Sequence, residues 1–187
     1  MAAKNIAIIV GSLRKESYNR KMAHVLIGFA SNSLAMEIVE IGDLMLYNED
    51  LDAKPPSTWL NFRERIKRND GVLFVTPEYN RSVPGVLKNA LDVGSRPYGK
   101  SVWERKPAAV VSLSPGAIGG FGANHHLRQT LVSLNMITMA QPEAYIGGAA
   151  TLFDHQGNLA NEGTRILMQK FMHFFTLWME RIHWDVA

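Results

Sequence analysis

The stretch NIAIIVGSLRKESYNRKMAHVL, residues 5–26, decides the fold. Residues 6–10 form a short apolar run rich in isoleucine, which is typical of a strand buried on both faces. A loop of glycine, serine and charged residues follows, and the apolar positions after Asn19 take helical spacing. The stretch therefore predicts the first half of a βαβ unit, with a polar loop at the carboxyl end of its strand.

The same alternation of strand and helix continues along the chain. Strands are predicted at 6–10, 36–41, 71–76 and 108–113, with a weak fifth strand near Ile137 or at 144–146. Helices are predicted at about 19–31, 57–69, 84–92, 122–134 and 159–182. This order predicts a doubly wound parallel sheet. No linker divides the 187 residues, so we expect one domain over 1–187.

The last predicted helix carries a wide apolar stripe. Its members follow i, i+3, i+4 spacing: Ile166, Leu167, Phe171, Phe174, Phe175, Trp178 and Ile182. We expect this stripe to pack on the sheet. Three methionines, Met168, Met172 and Met179, widen the apolar surface and leave contact with a second subunit as the alternative.

Composition excludes several classes of protein. A hydrophobic fraction of 47% and a charged fraction of 20% are ordinary for a globular chain. The absence of cysteine excludes disulfides and thiolate chemistry, so any redox reaction needs a bound cofactor. The basic run at 63–68 has no aromatic platform beside it and indicates a solvated helix face rather than a nucleic-acid site. No secretory leader or membrane-span pattern is found, and we expect a cytoplasmic protein with no membrane partner.

The loop after the first strand has the groups of a phosphate site. In an open parallel sheet, ligands bind at the carboxyl ends of the strands. Ser12, Arg14, Ser17 and Asn19 offer polar groups there, and the following helix directs free N–H groups to the same place. The alternative is that Ser17 or Asn19 only caps the helix. The glycine patterns of a P-loop and of a dinucleotide-binding turn are both missing from this loop.

The loops after the third and fourth strands suit a flat ring. Residues 76–92 place an aromatic residue among polar ones between two prolines, and residues 114–126 are mostly small. Each loop could also be a simple turn. Adjacent His125 and His126 lack carboxylates at a metal spacing and indicate helix-surface or interface histidines. Together the three loops favour a phosphorylated, ring-bearing cofactor.

Three segments carry a resemblance to a known family: GSLRKESYNR, TPEYNRSVPGVLKNALD and SPGAIGGFGANHHLRQTL. In this order they resemble the NAD(P)H-dependent FMN reductases, in particular the bacterial quinone and chromate reductases. The resemblance implies an α/β, flavodoxin-like fold with a five-stranded parallel sheet of order 2-1-3-4-5 and helices on both faces. It also implies non-covalent FMN near a subunit interface, in a homodimer or homotetramer.

The resemblance assigns the FMN phosphate to the first loop, the isoalloxazine ring to the second, and further contacts to the third. The cofactor-binding residues are Ser12, Leu13, Arg14, Ser17, Tyr18, Asn19, Pro77, Glu78, Tyr79, Asn80, Ser114 and Gly116. No catalytic side chain and no metal are expected, because the flavin N5 carries the hydride. Arg81, where relatives often have tyrosine, is expected at the substrate site, with a solvated surface arginine as the alternative.

The resemblance implies a ping-pong reaction. Hydride from NADPH or NADH passes through FMN to quinones, and to chromate, azo or nitroaromatic acceptors. A free-flavin reductase or an azoreductase is the nearest alternative. A flavodoxin-type electron carrier is the alternative from another class, and the net charge of +3 argues against it because flavodoxins are usually strongly acidic.

Overall fold

Apolar runs and amphipathic segments alternate to give a parallel sheet covered by helices in the computed structural model, which describes residues 3–182. The strands are β1 (Lys4–Val10), β2 (Leu34–Ile38), β3 (Gly71–Thr76), β4 (Pro107–Leu113), β5 (Ile137–Thr138) and β6 (Ala144–Ile146). The helices are α1 (Tyr18–Gly28), α2 (Ser57–Lys67), α3 (Gly85–Gly94), α4 (Phe121–Ser133) and α5 (Glu162–Arg181). Every predicted strand and helix is therefore present.

The sheet has the order β2-β1-β3-β4-β5, and β6 also pairs with β4. All of these pairings are parallel, which confirms the predicted flavodoxin-like order. β5 pairs with the start of β4 and β6 with its end. Both positions considered for the weak fifth strand are thus strands, and they share one place at the edge of a six-stranded sheet.

Alternate residues of the central strands supply two separate cores. In β1, Ile6, Ile8 and Val10 face α1 and α5. Ala7 and Ile9 face α2, α3 and α4. Strands buried on both sides have no solvated face, which explains their uninterrupted apolar sequence. The helices on both sides fix the strand ends, and with them the loops that follow.

The predicted stripe of α5 is wrong at two residues. Ile166 is 55% exposed and Phe174 is 42% exposed. The face that enters the core is instead formed by Met168, Phe171, Met172, Phe175 and Met179. These positions recur at i, i+3, i+4 and i+7, so the methionines belong to the core face. The predicted end of the stripe at Ile182 lies beyond the helix, which ends at Arg181.

Element ends differ from the prediction by a few residues. β2 ends at Ile38 rather than at residue 41, although Val39 and Ile41 are both buried. Buried apolar residues therefore continue beyond the last paired residue of the strand. Apolar periodicity does not distinguish the paired residues from the unpaired ones that follow. Within residues 3–182, no helix has the length and apolarity needed to cross a membrane.

Candidate functional site

The first loop contacts the end of β3 at its first residue, Gly11. The Gly11 N–H donates to the Val75 carbonyl over 2.9 Å. A Cβ at Gly11 would lie 2.7 Å from Thr76 Oγ1, which is closer than real Cβ atoms approach. Glycine is therefore required where the first loop passes the end of β3.

Ser17 caps the N-terminus of α1. Its Oγ accepts a hydrogen bond from the Arg20 N–H over 3.2 Å, so the capping role is confirmed. No acidic residue lies in the first turn of α1. The partial positive charge of this helix end is therefore not neutralised within its own first turn and is available to an anion.

Asn19 joins α1 to β4. Its side chain is buried and its Nδ2 donates to the Leu113 carbonyl over 3.3 Å. Asn19 Oδ1 is also buried and has no hydrogen-bond partner among residues 3–182. A buried acceptor without a donor is costly, and a ligand hydroxyl such as those of a ribityl chain would satisfy it. This atom is an observation in favour of a polyol phosphate in the first loop.

Ser12 and Arg14 complete the first loop. Ser12 is buried, and its Oγ accepts from the Arg14 N–H over 3.4 Å. The Arg14 guanidinium carbon lies 5.6 Å from the centroid of the Tyr18 ring. A cation held over an aromatic ring loses part of its freedom before a ligand arrives. The loop thus places one arginine beside the helix end that accepts anions.

The second loop contains a two-residue turn of left-handed backbone. Asn80 and Arg81 have φ values of 49° and 64°. Tyr79 and Ser82 exchange both backbone hydrogen bonds across them, at 3.0 and 2.9 Å. Positive φ at both central residues defines a type I′ turn, which is costly for residues other than glycine. Tyr79 is 48% exposed at the end of this turn.

The Glu78 carboxylate makes two contacts within the protein. Glu78 Oε1 lies 2.7 Å from Arg81 Nη1, and Oε2 accepts from the Ala123 N–H over 3.1 Å. Both oxygens of this carboxylate therefore have partners within the protein.

The third loop is held by backbone contacts. The Ser114 N–H donates to the Ile146 carbonyl, and the Ser114 carbonyl accepts from the Ala149 N–H. Ser114 Oγ accepts from the Gly116 N–H over 3.2 Å. At Gly119 a side chain would meet the Tyr145 backbone at 2.5 Å. The small residues of this loop therefore permit close backbone packing, with Gly116 exposed at its surface.

One cavity of ≈ 390 Å³ joins the first and second loops. It is lined by Gly11, Leu13, Arg14, Tyr79, Pro84, Gly85 and Val86. Its volume is within the usual range of cofactor sites, about 300 to 1,000 Å³. It brings together three of the predicted cofactor-binding residues, Leu13, Arg14 and Tyr79. The other nine do not line it: Ser12, Ser17, Tyr18, Asn19, Pro77, Glu78, Asn80, Ser114 and Gly116.

The sequence prediction missed the contribution of α3 to this cavity. Pro84 was expected to stiffen the second loop and to start the next helix, and it also lines the wall together with Gly85 and Val86. A helix that begins directly after a ligand loop was the available signal. A larger cavity of ≈ 640 Å³ lies between α1 and residues 155–159, and none of the predicted site residues lines it.

An aromatic cluster follows the third loop. Phe121, His125 and Tyr145 pack together, and the Tyr145 hydroxyl lies 2.9 Å from His125 Nε2. Burial and the nearby Glu143 carboxylate raise the pKa of Tyr145 to about 12. Tyr145 is therefore protonated at neutral pH. Within residues 3–182, no group of three His, Asp or Glu side chains could hold a metal ion.

Comparisons with known proteins agree with this geometry. Residues 4–151 match the family described as NADPH-dependent FMN reductase. The chain belongs to this family. It is 64% identical to a quinone reductase from Pseudomonas putida over 177 residues, which are 94% of this chain and 95% of the relative. It is 46% identical to a 2-hydroxy-1,4-benzoquinone reductase from Burkholderia sp, covering 95% and 97% of the two chains.

A solved structure supports the same assignment. The flavoenzyme FerB, an NAD(P)H:(acceptor) oxidoreductase from Paracoccus denitrificans, superposes with a TM-score of 0.90 at 43% identity. The match covers 96% of this chain and 98% of FerB. The predicted family, fold, enzyme class and use of FMN with NAD(P)H are thus confirmed.

Proposed function

We propose that this FMN reductase passes electrons from NADPH or NADH to quinones through FMN bound by the three loops. The observation that carries the proposal is the single cavity shared by Leu13, Arg14 and Tyr79. It combines a cation near the capped end of α1 with an exposed aromatic ring, which suits a phosphate at one end and a flat ring at the other. The quinone reductases at 64% and 46% identity support the choice of acceptor.

The first loop would hold the phosphate end of FMN. Ser12, Arg14 and Ser17 supply hydroxyl and guanidinium donors, and the end of α1 adds its partial charge. Leu13 and Tyr18 would cover the loop, and Asn19 Oδ1 would accept from a ribityl hydroxyl. These are the residues to test for cofactor affinity.

The second loop would hold the isoalloxazine ring. When bound, FMN supplies the hydride chemistry of the reaction. The protein contributes the rigid backbone of residues 77–80, from which the Glu78 and Asn80 N–H groups would donate to the ring. Pro77 has no N–H, and the Tyr79 N–H already donates to the Ser82 carbonyl. Ser114 and Gly116 would approach from the third loop. No side chain is proposed to move a proton.

Arg81 would attract the electron donor. Its side chain is 73% exposed, and Glu78 binds one edge of the guanidinium at 2.7 Å. The remaining donors face solvent, where nucleotide phosphates or an anionic acceptor could reach them. An Arg81→Ala variant should raise KM for NADPH more than it changes FMN affinity. An unchanged KM for every substrate would remove Arg81 from the substrate site.

The assembly and location are also proposed. We propose one domain over 1–187, a proposal supported by the two cores of residues 3–182, which share one sheet. Leu13, Ile118 and Phe121 expose apolar side chains on or beside the first and third loops, which favours a homodimer or homotetramer covering this edge. The expected location is cytoplasmic.

Reconstitution with FMN tests the proposal. The full chain, stripped of flavin and then incubated with FMN, should turn yellow, and stopped-flow mixing with NADPH should bleach it before a quinone restores the colour. A colourless protein after incubation would refute the flavin site. A flavin that NADPH cannot reduce would favour the electron carrier. Reduction of free FMN or an azo dye far faster than of any quinone would favour those alternatives.

A further inference from the structure

The second loop is attached to α4 through a buried carboxylate. The Glu78 side chain is only 10% exposed. Because glutamate is rarely buried without partners, its contacts are informative. One oxygen binds Arg81 of the same loop, and the other accepts from the Ala123 N–H, 45 residues further along the chain. Glu78 thus connects two of the three loops of the site.

The N-terminus of α4 lacks a cap from its own segment. Its N-cap residue is Gly120, with φ of 77°, which makes no side-chain hydrogen bond. The first turn also contains no acidic residue. A carboxylate at this position satisfies a free N–H group and interacts favourably with the helix dipole. Glu78 supplies this cap from another loop.

Gly122 allows the two elements to approach. A Cβ at this position would lie 2.9 Å from Glu78 Oε2 and 3.2 Å from the Arg81 carbonyl. A second tie lies one turn further along α4, where Ser82 Oγ is 2.7 Å from His126 Nδ1. The left-handed turn at Asn80 and Arg81 is therefore held against α4 on both sides.

We propose that Glu78 is a positioning residue whose carboxylate fixes the backbone of residues 77–80 against α4, in the arrangement that binds the FMN ring. The inference rests on the proposed flavin site. Without the carboxylate, the Ala123 N–H loses its partner, and only the contact between Ser82 and His126 still holds the strained turn against α4. The loop would then relax and present its donors to the ring less accurately.

Three substitutions test this role. Glu78→Ala should raise the Kd for FMN roughly tenfold or more, and should shift the visible spectrum and midpoint potential of the bound flavin. Glu78→Gln should lie between this variant and the parent, since its amide oxygen can still accept from Ala123 N–H. Glu64→Ala is the matched control, because Glu64 forms an i,i+3 ion pair with Lys67 on the exposed face of α2. It should leave all three quantities unchanged.

Gly122→Ala tests the contact from the other side. Without the bridge, the higher helix propensity of alanine would oppose only the 3.2 Å approach of the new methyl group to the Arg81 carbonyl, and FMN affinity should change little. The proposed bridge requires a weaker affinity for FMN instead, because the new methyl group displaces the carboxylate. The loss of affinity should be smaller in the Glu78→Ala background, where only the approach to the Arg81 carbonyl remains.

The outcomes separate this inference from the proposed function. If the parent takes up no FMN, the proposed flavin site is wrong. If the parent binds FMN and Glu78→Ala keeps its Kd, spectrum and potential, Glu78 has no positioning role, even where the variant is less stable. Should Glu78→Ala fail to fold, Glu78→Gln and Gly122→Ala decide by the same readouts.

Discussion

Ser17 and Arg14 lie on the same loop but contribute differently to the protein without FMN. Ser17 Oγ caps α1, whereas Arg14 packs over the Tyr18 ring. We expect either Ser17→Ala or Arg14→Ala to weaken FMN binding by about 1 to 3 kcal/mol, which is typical of a charge-assisted hydrogen bond. Only Ser17→Ala should also lower the free energy of unfolding of the FMN-free protein, by about 1 kcal/mol, because it removes the cap.

Fluorescence titration with FMN and urea unfolding without it would measure the two effects separately. Lys15→Ala is the control, since Lys15 is an exposed cation on the same loop. It should change neither quantity by more than about 0.5 kcal/mol. Unchanged FMN affinity in both main variants would contradict the phosphate site, and an unchanged unfolding free energy for Ser17→Ala would contradict the cap.

The site was predictable to the extent that its signals are local. A serine before a helix, a glycine after a buried strand and a polar loop between them can all be recognised within a few residues. The contact between Glu78 and Ala123 and that between Asn19 and Leu113 join residues 45 and 94 positions apart. Such contacts form only after the sheet order has placed the loops side by side, so no local pattern contains them.

The buried side chain of Asn89 binds the backbone of the segment after β2 at three points. Asn89 Oδ1 accepts from the Tyr47 N–H over 2.8 Å, and its Nδ2 donates to the carbonyls of Leu44 and Met45. The Met45 carbonyl also accepts from Trp59 Nε1. We expect Asn89→Ala to lower the free energy of unfolding by roughly 2 to 3 kcal/mol, because it removes the partner of the Tyr47 N–H and of the Leu44 carbonyl. Hydrogen exchange at Tyr47 should accelerate before global unfolding.

Asn61→Ala is the control for this prediction. Asn61 is exposed on α2, so its loss should be neutral within about 0.5 kcal/mol. Equal stability of the Asn89 and Asn61 variants would show that the segment is not anchored by Asn89. The prediction matters because this segment contacts the first loop, where a Cβ at Gly42 would lie 3.1 Å from Leu13 Cδ2.

An ion pair whose strength depends on pH links α1 to Glu40, two residues after the end of β2. Arg20 donates to both oxygens of Glu40, over 2.8 and 2.6 Å. This contact holds the pKa of Glu40 below its ordinary value, against the opposing effect of partial burial. A lowered pKa means that the stabilisation is present above the pKa of the unfolded chain, about 4.3. It is lost as the pH falls through the folded value.

Glu40→Gln tests this dependence. Because the Glu40 side chain is 57% exposed, the loss near pH 7 should not exceed about 1 kcal/mol. The difference from the parent should shrink as the pH falls from 7 through the lowered folded-state pKa, below which the parent carboxyl is protonated as well. Urea unfolding over this pH range provides the measurement. A difference that stays constant with pH would exclude the charged contact as its cause.

The parallel sheet was predictable because strands that alternate with helices are joined by crossovers of fixed hand, whereas its order was implied only by the family resemblance. The ends of the elements were less predictable. The fifth position is divided between β5 and β6, which together contain only five residues. Strands this short carry too few alternating positions to be located from periodicity, and it is pairing with β4 that defines them.

The molecule as a whole depends on α5 closing one face of the sheet. Phe171 and Phe175 are fully buried against the strands, whereas Phe174 lies on the outer face of the same helix. α5 thus has more apolar residues than its buried face contains. For this reason the sequence was compatible both with a helix buried over a wide face and with a helix that contacts a second subunit.

Exchanging single aromatic residues of α5 distinguishes the two faces. Phe171→Ala should lower the free energy of unfolding by about 3 to 5 kcal/mol, since it opens a cavity in the core. Phe174→Ala should change the free energy of unfolding of the monomer by less than about 1 kcal/mol. Urea unfolding at low protein concentration, with sedimentation to determine the mass, gives both values. If Phe174→Ala instead reduces the mass found by sedimentation, α5 covers the sheet with one face and contacts a second copy of the chain with the other. If this variant instead lowers the free energy of unfolding of the monomer by several kcal/mol, Phe174 packs inside the monomer.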